Sequence, residues 1–244
     1  MLNNIRLQTQ QILFILLAIA IPVSIAASNI ILGCLIFCWM IEGNFSVKAR
    51  VITSSKWMIC IFLFLALYFL AMFWGENHDN ALWQFQRLAL LLAFPILTTI
   101  ELNQQTFRRA IFSFLCVNFI SAISAILINN NVIQDLGNYI YFLNSDWQTA
   151  AFIKYNYHNV LLALSFSVAM YIILEVETKY KYLFILFIIA YSISIFTERG
   201  RAGQVLFNLF SLFYILYYNK NHIIRLSFLI IILFSFQFVV YKTT

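Results

Sequence analysis

Charged side chains are scarce in this sequence: they make up 10% of its 244 residues, where a soluble domain has about a quarter. Hydrophobic residues make up 63%, which excludes an ordinary soluble domain. With only 6 glycines and 2 prolines, the chain also lacks the composition of linkers and low-complexity segments. The sequence therefore predicts a single integral membrane domain that covers residues 1–244.

Cysteine is nearly absent as well, and its placement argues against a metal centre. Cys34 and Cys38 share a helix face, but no cluster of His or Cys accompanies them, as a zinc site would require. All four cysteines (Cys34, Cys38, Cys60 and Cys116) lie in apolar segments. We therefore expect inert buried thiols, no metal and no cofactor.

Long apolar segments dominate what remains, and they predict an all-α, polytopic transmembrane bundle of about nine spans. Several spans are short, so their helices should extend into the flanking polar residues. Pro22 and Ser24 predict a tight hairpin between the first two spans; a cleaved signal peptide is the alternative. The predicted spans are residues 12–27, 29–42, 57–74, 88–100, 110–128, 159–175, 183–197, 204–218 and 223–241.

The positions of lysine and arginine predict the orientation of these spans. With the N-terminus in the cytoplasm, 10 of the 15 basic residues fall in inner segments and 5 in outer segments, as the positive-inside rule requires. Most of the net charge of +6 is therefore a topology signal, and no nucleic-acid partner is expected. The outer basic residues are exceptions to the rule: Arg87, Lys154, Arg199, Arg201 and Lys242.

The densest charge cluster lies between the seventh and eighth spans, within the segment 196–204. Glu198, Arg199 and Arg201 stand at the mouth of two apolar spans, where charges are costly and often functional. A guanidinium binds phosphate oxygens in a bidentate manner, and Gly200 and Gly203 allow close backbone approach. The alternative is that Glu198 pairs with one arginine while both arginines extend to the lipid headgroups.

Two outer loops carry further polar groups. The segment Gly75–Gln86 is interpreted as a solvated turn with an ion pair. The longer loop Asn129–His158 could include a short interfacial helix. It ends in the segment Lys154–Asn159, where His158 and Asn159 stand at the entrance of the sixth span. That His-Asn pair offers either several hydrogen bonds to a substrate or an interfacial cap with anchoring tyrosines.

Two motifs resemble one family. The core Gly-Arg-Ala-Gly-Gln at 200–204 is similar to the arginine loop of the O-antigen ligase family, which also contains O-antigen polymerase-like proteins. The segment Tyr155–Val160 resembles that family's His-Asn signature at the start of a helix. The resemblance covers most of the chain, although its specificity rests on these two short motifs.

The resemblance implies a metal-independent, inverting glycosyltransferase of the bacterial inner membrane. Such an enzyme transfers a glycan from undecaprenyl diphosphate to lipid A-core, or to a growing glycan in the polymerases. Arg201 best matches the arginine that binds the diphosphate, and Arg199 is the alternative register. His158, Asn159 and Lys154 become candidate substrate-binding residues. Membrane lipids are the remaining expected partners.

The resemblance also implies a general-base histidine in a large periplasmic loop, in a segment that would follow Thr244. The catalytic group is therefore not assigned, and the chain is expected to be the N-terminal part of such an enzyme, which binds the donor without turnover. A transporter or flippase subunit and a non-catalytic membrane protein are the alternatives from other classes. A transporter would be expected to have charged or broken helices near mid-membrane.

Overall fold

The computed structural model describes residues 2–74, 78–130, 132, 149–176, 178–198 and 200–218. The described elements are helices apart from one antiparallel hairpin of two short strands, which confirms the predicted helical class. In chain order they are α1 (Leu2–Ala20), α2 (Ile25–Glu42), α3 (Phe45–Ser54), α4 (Lys56–Ala71), α5 (His78–Leu88), a 3₁₀ turn (Ala89–Leu92), α6 (Ala93–Thr99), α7 (Gln104–Asn129), β1 (Thr149–Ala150), β2 (Ile153–Lys154), α8 (Tyr155–Glu175), α9 (Lys181–Thr197) and α10 (Arg201–Tyr218).

Three of the described helices, α2, α7 and α8, are long and apolar enough to cross a membrane. The bent pair α3 and α4 makes a fourth if it is counted as one span. Nine spans are thus not confirmed: α9 has 17 residues, and α10 carries the polar residues Gln204 and Asn208. The ninth predicted span, 223–241, lies outside the described residues.

The helix boundaries correct two predicted loops. The segment after residue 42 was expected to be an inner loop, but it forms α3. The predicted solvated turn Gly75–Gln86 is wrong from His78 onward, because α5 begins there. Leu82, Phe85 and Leu88 recur at helical spacing, and the Phe85 ring contacts the ring of Phe69 on α4, with 5.6 Å between centroids. The helical spacing of these apolar residues and the ring contact explain why the segment forms a helix despite its polar composition.

Residues 1–17 and 29–107 form one compact unit. In it α1 and α2 are antiparallel, since Arg6 near the start of α1 lies 3.7 Å from Glu42 at the end of α2. Leu17, Leu35 and Ile100 form its core. The chain then turns sharply at Gly43, whose φ of 69° favours glycine, before α3 begins.

The described residues within 18–28 and 108–218 form the second unit, where α7, α8, α9 and α10 pack around a shared core. Leu115, Leu162 and Tyr191 are fully buried there. The Tyr191 hydroxyl donates a 2.6 Å hydrogen bond to the backbone oxygen of Leu115, which ties α9 to α7. The predicted extension of helices into polar flanks is confirmed, because α7, α8 and α10 begin six, four and three residues before the predicted spans.

Candidate functional site

Three helix ends meet at one end of the second unit. The first turn of α8 carries His158 and Asn159, and Glu198 directly follows α9. Gly200 directly precedes α10. Since α8 and α10 begin where α9 ends, the two motifs singled out in the sequence become neighbours although 40 residues separate them.

A buried hydrogen bond between a histidine and a carboxylate lies at the centre of this cluster. The Nδ1 atom of His158 is 3.1 Å from Oε2 of Glu198, and the two side chains are 0% and 8% exposed. The other carboxylate oxygen, Oε1, accepts a 2.9 Å hydrogen bond from the Ser194 hydroxyl. A carboxylate accepts hydrogen bonds, so this contact assigns a hydrogen to Nδ1 of the imidazole. Glu198 thereby fixes the ring orientation of His158 and keeps a hydrogen on its Nδ1 atom.

The side-chain amide of Asn159 joins Glu198 to the start of α10. In the orientation that satisfies both ends of the amide, Nδ2 donates to Oε2 of Glu198 at 2.9 Å and the oxygen accepts from the Gly200 N–H at 3.0 Å. The opposite orientation puts Nδ2 3.3 Å from the Gly200 oxygen, but it turns the amide oxygen toward acceptors only. We therefore assign the first orientation.

Glycine is required at two positions because α8 and α10 approach very closely. A Cβ atom at Gly200 would collide with the side chain of Asn159, and one at Gly203 with the backbone carbonyl of Asn159. The sequence predicted close backbone approach at these two glycines, and here the approaching group is Asn159. Close packing of small residues is a common means of holding membrane helices together.

Gln204 completes the connection between α9 and α10. Its Nε2 donates to the backbone oxygens of Ile195, at 3.1 Å, and Glu198, at 3.2 Å. These carbonyls lie at the C-terminal end of α9, where helix hydrogen bonding leaves acceptors unpaired. The short connection that carries the arginine loop is therefore held at both ends by buried hydrogen bonds.

The predicted site residues are only partly assembled. His158 and Asn159 are buried in the cluster, whereas Lys154, the last residue of β2, is partly exposed just before α8. Arg201 is the first residue of α10 and is exposed. Arg199 lies outside the described residues, as do residues 133–148, where an interfacial helix was considered.

Ser194 was missed at the sequence level, and Gln204, although part of the motif at 200–204, was given no role. At the sequence level an arginine partner for Glu198 was the alternative interpretation; the carboxylate contacts described here are to His158, Ser194 and Asn159. The spacing of Ser194 and Glu198, four residues apart at a helix end, was an available signal. The contacts of Gln204 depend on how α10 folds back against α9, and no local pattern predicts them.

One atom of the cluster has no partner. The Nε2 atom of His158 is buried and makes no hydrogen bond to any described residue. A buried polar atom without a partner costs about 1–3 kcal/mol, a cost that a hydrogen bond to a group outside the described residues would remove. As for metals, no group of three or more His, Cys, Asp or Glu side chains clusters in the described part of the chain.

Comparison of the chain with protein-family models, with curated proteins and with solved structures gave no match.

Proposed function

We propose that this chain is an O-antigen ligase-like membrane protein that binds undecaprenyl diphosphate-linked glycan where α8, α9 and α10 meet. The donor glycan would pass to lipid A-core. One observation carries the proposal: the two segments that resemble the family are joined by buried contacts, His158 to Glu198 and Asn159 to Gly200. Two motifs recognised separately would not be expected to share a buried polar cluster if each served only as a local helix cap.

Arg201 is the residue that we assign to the diphosphate, with Arg199 as the second candidate. The backbone of Arg201 follows Gly200, whose N–H is held by Asn159, and precedes Gly203, which lies against α8. The start of α10 is therefore fixed while the guanidinium is exposed. An anion bound there would also face the N-terminus of α10, which adds a favourable dipole.

The proposed topology has nine spans, a cytoplasmic N-terminus and a location in the bacterial inner membrane. The direction of the described helices supports it, because α8 and α10 run opposite to α9, as consecutive spans must. The site then lies on the periplasmic side, where the lipid-linked donor would be used. His158 and Asn159 support the arginine loop from within, and Lys154 is kept as a further candidate for donor binding.

Polymerase activity is the nearest alternative. A polymerase uses the same class of donor and differs in its acceptor, and the cluster concerns only the donor diphosphate. Lipid A-core and a growing glycan would be distinguished by supplying each as the acceptor.

Donor binding tests the proposal directly. The chain in nanodiscs is titrated with undecaprenyl diphosphate, and Arg201→Ala is compared with Arg108→Ala, which removes an exposed arginine from α7. Loss of a charge-assisted bidentate contact should weaken binding by about 10- to 150-fold in Arg201→Ala. The donor affinity of Arg201→Lys should lie between those of wild type and Arg201→Ala, since an ammonium group lacks the planar fork of a guanidinium. Equal affinity in wild type and Arg201→Ala would assign this loop to headgroup contact instead.

A further inference from the structure

Helix α3 lies at a right angle to the helix that follows it. The bend between α3 and α4 is 92°, and it occurs at Ser55, whose backbone is extended. Helix α4 is apolar and 16 residues long, or about 24 Å, close to the thickness of a bilayer core. If α4 crosses the membrane, α3 must lie along its surface.

Contacts with the end of α2 hold α3 in place. Lys48 of α3 is buried, and its Nζ lies 3.0 Å from Oε2 of Glu42. The same Nζ donates to the backbone oxygen of Trp39 at 2.7 Å and lies 4.4 Å from the centroid of its ring. The Phe45 ring contacts Trp39 edge to face, at 5.6 Å. The charge of Lys48 is thus neutralised inside the protein and is not available at the surface.

The rest of α3 is amphipathic. Val47 and Val51, one turn apart, are 60% and 46% exposed. Ser46, Arg50 and Thr53 lie on the adjacent edge of the helix and are exposed as well. Exposed valines along one edge and polar groups along the next are the pattern of a helix that lies in the interface plane, with its apolar edge in the acyl boundary.

Two cations and a tryptophan mark the level of the lipid headgroups. Arg50 and Lys56 are exposed, and neither makes a salt bridge to a described residue. Trp57 follows at the start of α4 and is 81% exposed. Tryptophan concentrates at membrane interfaces, and exposed basic residues there attract anionic lipid.

We propose that α3 is an interfacial helix and that Arg50 and Lys56 bind the headgroup of an anionic phospholipid. Val47 and Val51 enter the acyl boundary, and Lys48 holds the helix parallel to the membrane surface. The proposal does not depend on the arginine loop or on any glycan substrate.

Lipid retention tests the choice of partner. The full chain is purified from nanodiscs made of an equal mixture of phosphatidylcholine and phosphatidylglycerol, and bound lipid is counted by native mass spectrometry. Arg50→Gln with Lys56→Gln should lower the preference for phosphatidylglycerol by up to about 30-fold, since each basic residue near the surface contributes about fivefold. The control, Ser46→Gln with Thr53→Gln, changes two exposed polar residues of α3 without removing a charge and should keep the preference. A preference unchanged in the α3 double variant would overturn the proposal.

Photocrosslinking tests the orientation of the helix. A photoreactive phenylalanine analogue replaces Val47 in one sample and Thr53 in another, both at exposed positions. The analogue at 47 should form adducts with phospholipid, and the analogue at 53 should form few. Similar lipid yields at the two positions would show that α3 does not lie in the interface with its valine edge inward.

Discussion

Two glutamates, Glu42 and Glu198, stand at the ends of apolar helices, and their surroundings differ in kind. Glu42 faces permanent cations: Lys48 at 3.0 Å and Arg6 at 3.7 Å. Glu198 is bound by His158, Ser194 and the amide of Asn159, of which only the histidine can carry charge. The first cluster balances charge and fixes α3, whereas the second positions polar groups at the proposed donor site.

The difference shows how a membrane protein uses a buried carboxylate in two ways. A carboxylate and a lysine that form a salt bridge have no net charge together. Such a pair attracts a charged ligand only weakly. A carboxylate held by hydrogen-bond donors orients those donors, and here it leaves Nε2 of His158 without a described partner. The comparison therefore predicts that Glu42 matters mainly for stability and Glu198 mainly for the site.

Replacing each glutamate by glutamine should separate the two roles and give the largest effect. Glu42→Gln leaves Lys48 buried without a strong anion, which should cost about 3–5 kcal/mol of stability. Glu198→Gln keeps an amide oxygen that can accept hydrogen bonds and should cost less, about 1–3 kcal/mol. Thermal unfolding of both variants in the same detergent measures the difference.

The double variant Glu42→Gln with Lys48→Met is the control for this pair. It removes the uncompensated charge and should recover much of the lost stability, as replacement of a whole buried pair often does. If Glu42→Gln is as stable as wild type, or if Glu198→Gln is the more damaging variant, the contrast between the clusters is wrong.

Close packing gives the next largest effect. Gly203→Ala places a Cβ against the backbone of Asn159, so α8 and α10 must separate, at about 1–3 kcal/mol. The matched control is Gly33→Ala in α2, where nothing lies within 4 Å of the added Cβ.

This prediction is checked by measuring the unfolding temperature and the donor affinity of both glycine variants. Gly33→Ala should leave both unchanged or raise stability slightly, because alanine favours the helix. Gly203→Ala should lower both. Similar behaviour of the two variants would mean that the approach of α8 and α10 is looser than the structure indicates.

Much of the fold was predictable from apolar segments alone, since α9 ends at Thr197 as expected and begins two residues before the predicted start. Helix α3 was not, because Lys48 and Arg50 give its ten residues the composition of an inner loop. The burial of Lys48 depends on its contacts with Glu42 and Trp39. The local sequence pattern does not predict those contacts.

The candidate site, too, was predicted only in part, because its long-range contacts have no local signal in the sequence. His158 and Asn159 were identified from their place at a span entrance, and Gly200 and Gly203 from their small size. The pairing of His158 with Glu198 could not be predicted, because it depends on how two helices separated in sequence come together. At the sequence level, pairing of Glu198 with an arginine was one alternative, and pairing with His158 was not considered.

The smallest effect should come from one hydroxyl. Ser194 donates to Glu198 at 2.9 Å, while Ser192, two residues earlier in α9, donates to the backbone oxygen of Ile188 in its own helix at 2.8 Å. Ser194→Ala removes one of three donors to the carboxylate and should cost about 1 kcal/mol. Ser192→Ala removes a bond that the site does not use, so donor binding should not change.

Affinity for undecaprenyl diphosphate in nanodiscs decides between a local and a site-wide role for Ser194. If Glu198 positions His158 and Asn159 for the donor, Ser194→Ala should weaken binding about fivefold, the equivalent of that 1 kcal/mol, whereas Ser192→Ala should match wild type. Ser194→Thr keeps the hydroxyl and should restore most of the affinity. Identical affinities in Ser194→Ala and Ser192→Ala would mean that the carboxylate is held by His158 and Asn159 alone and that the site tolerates loss of its third donor.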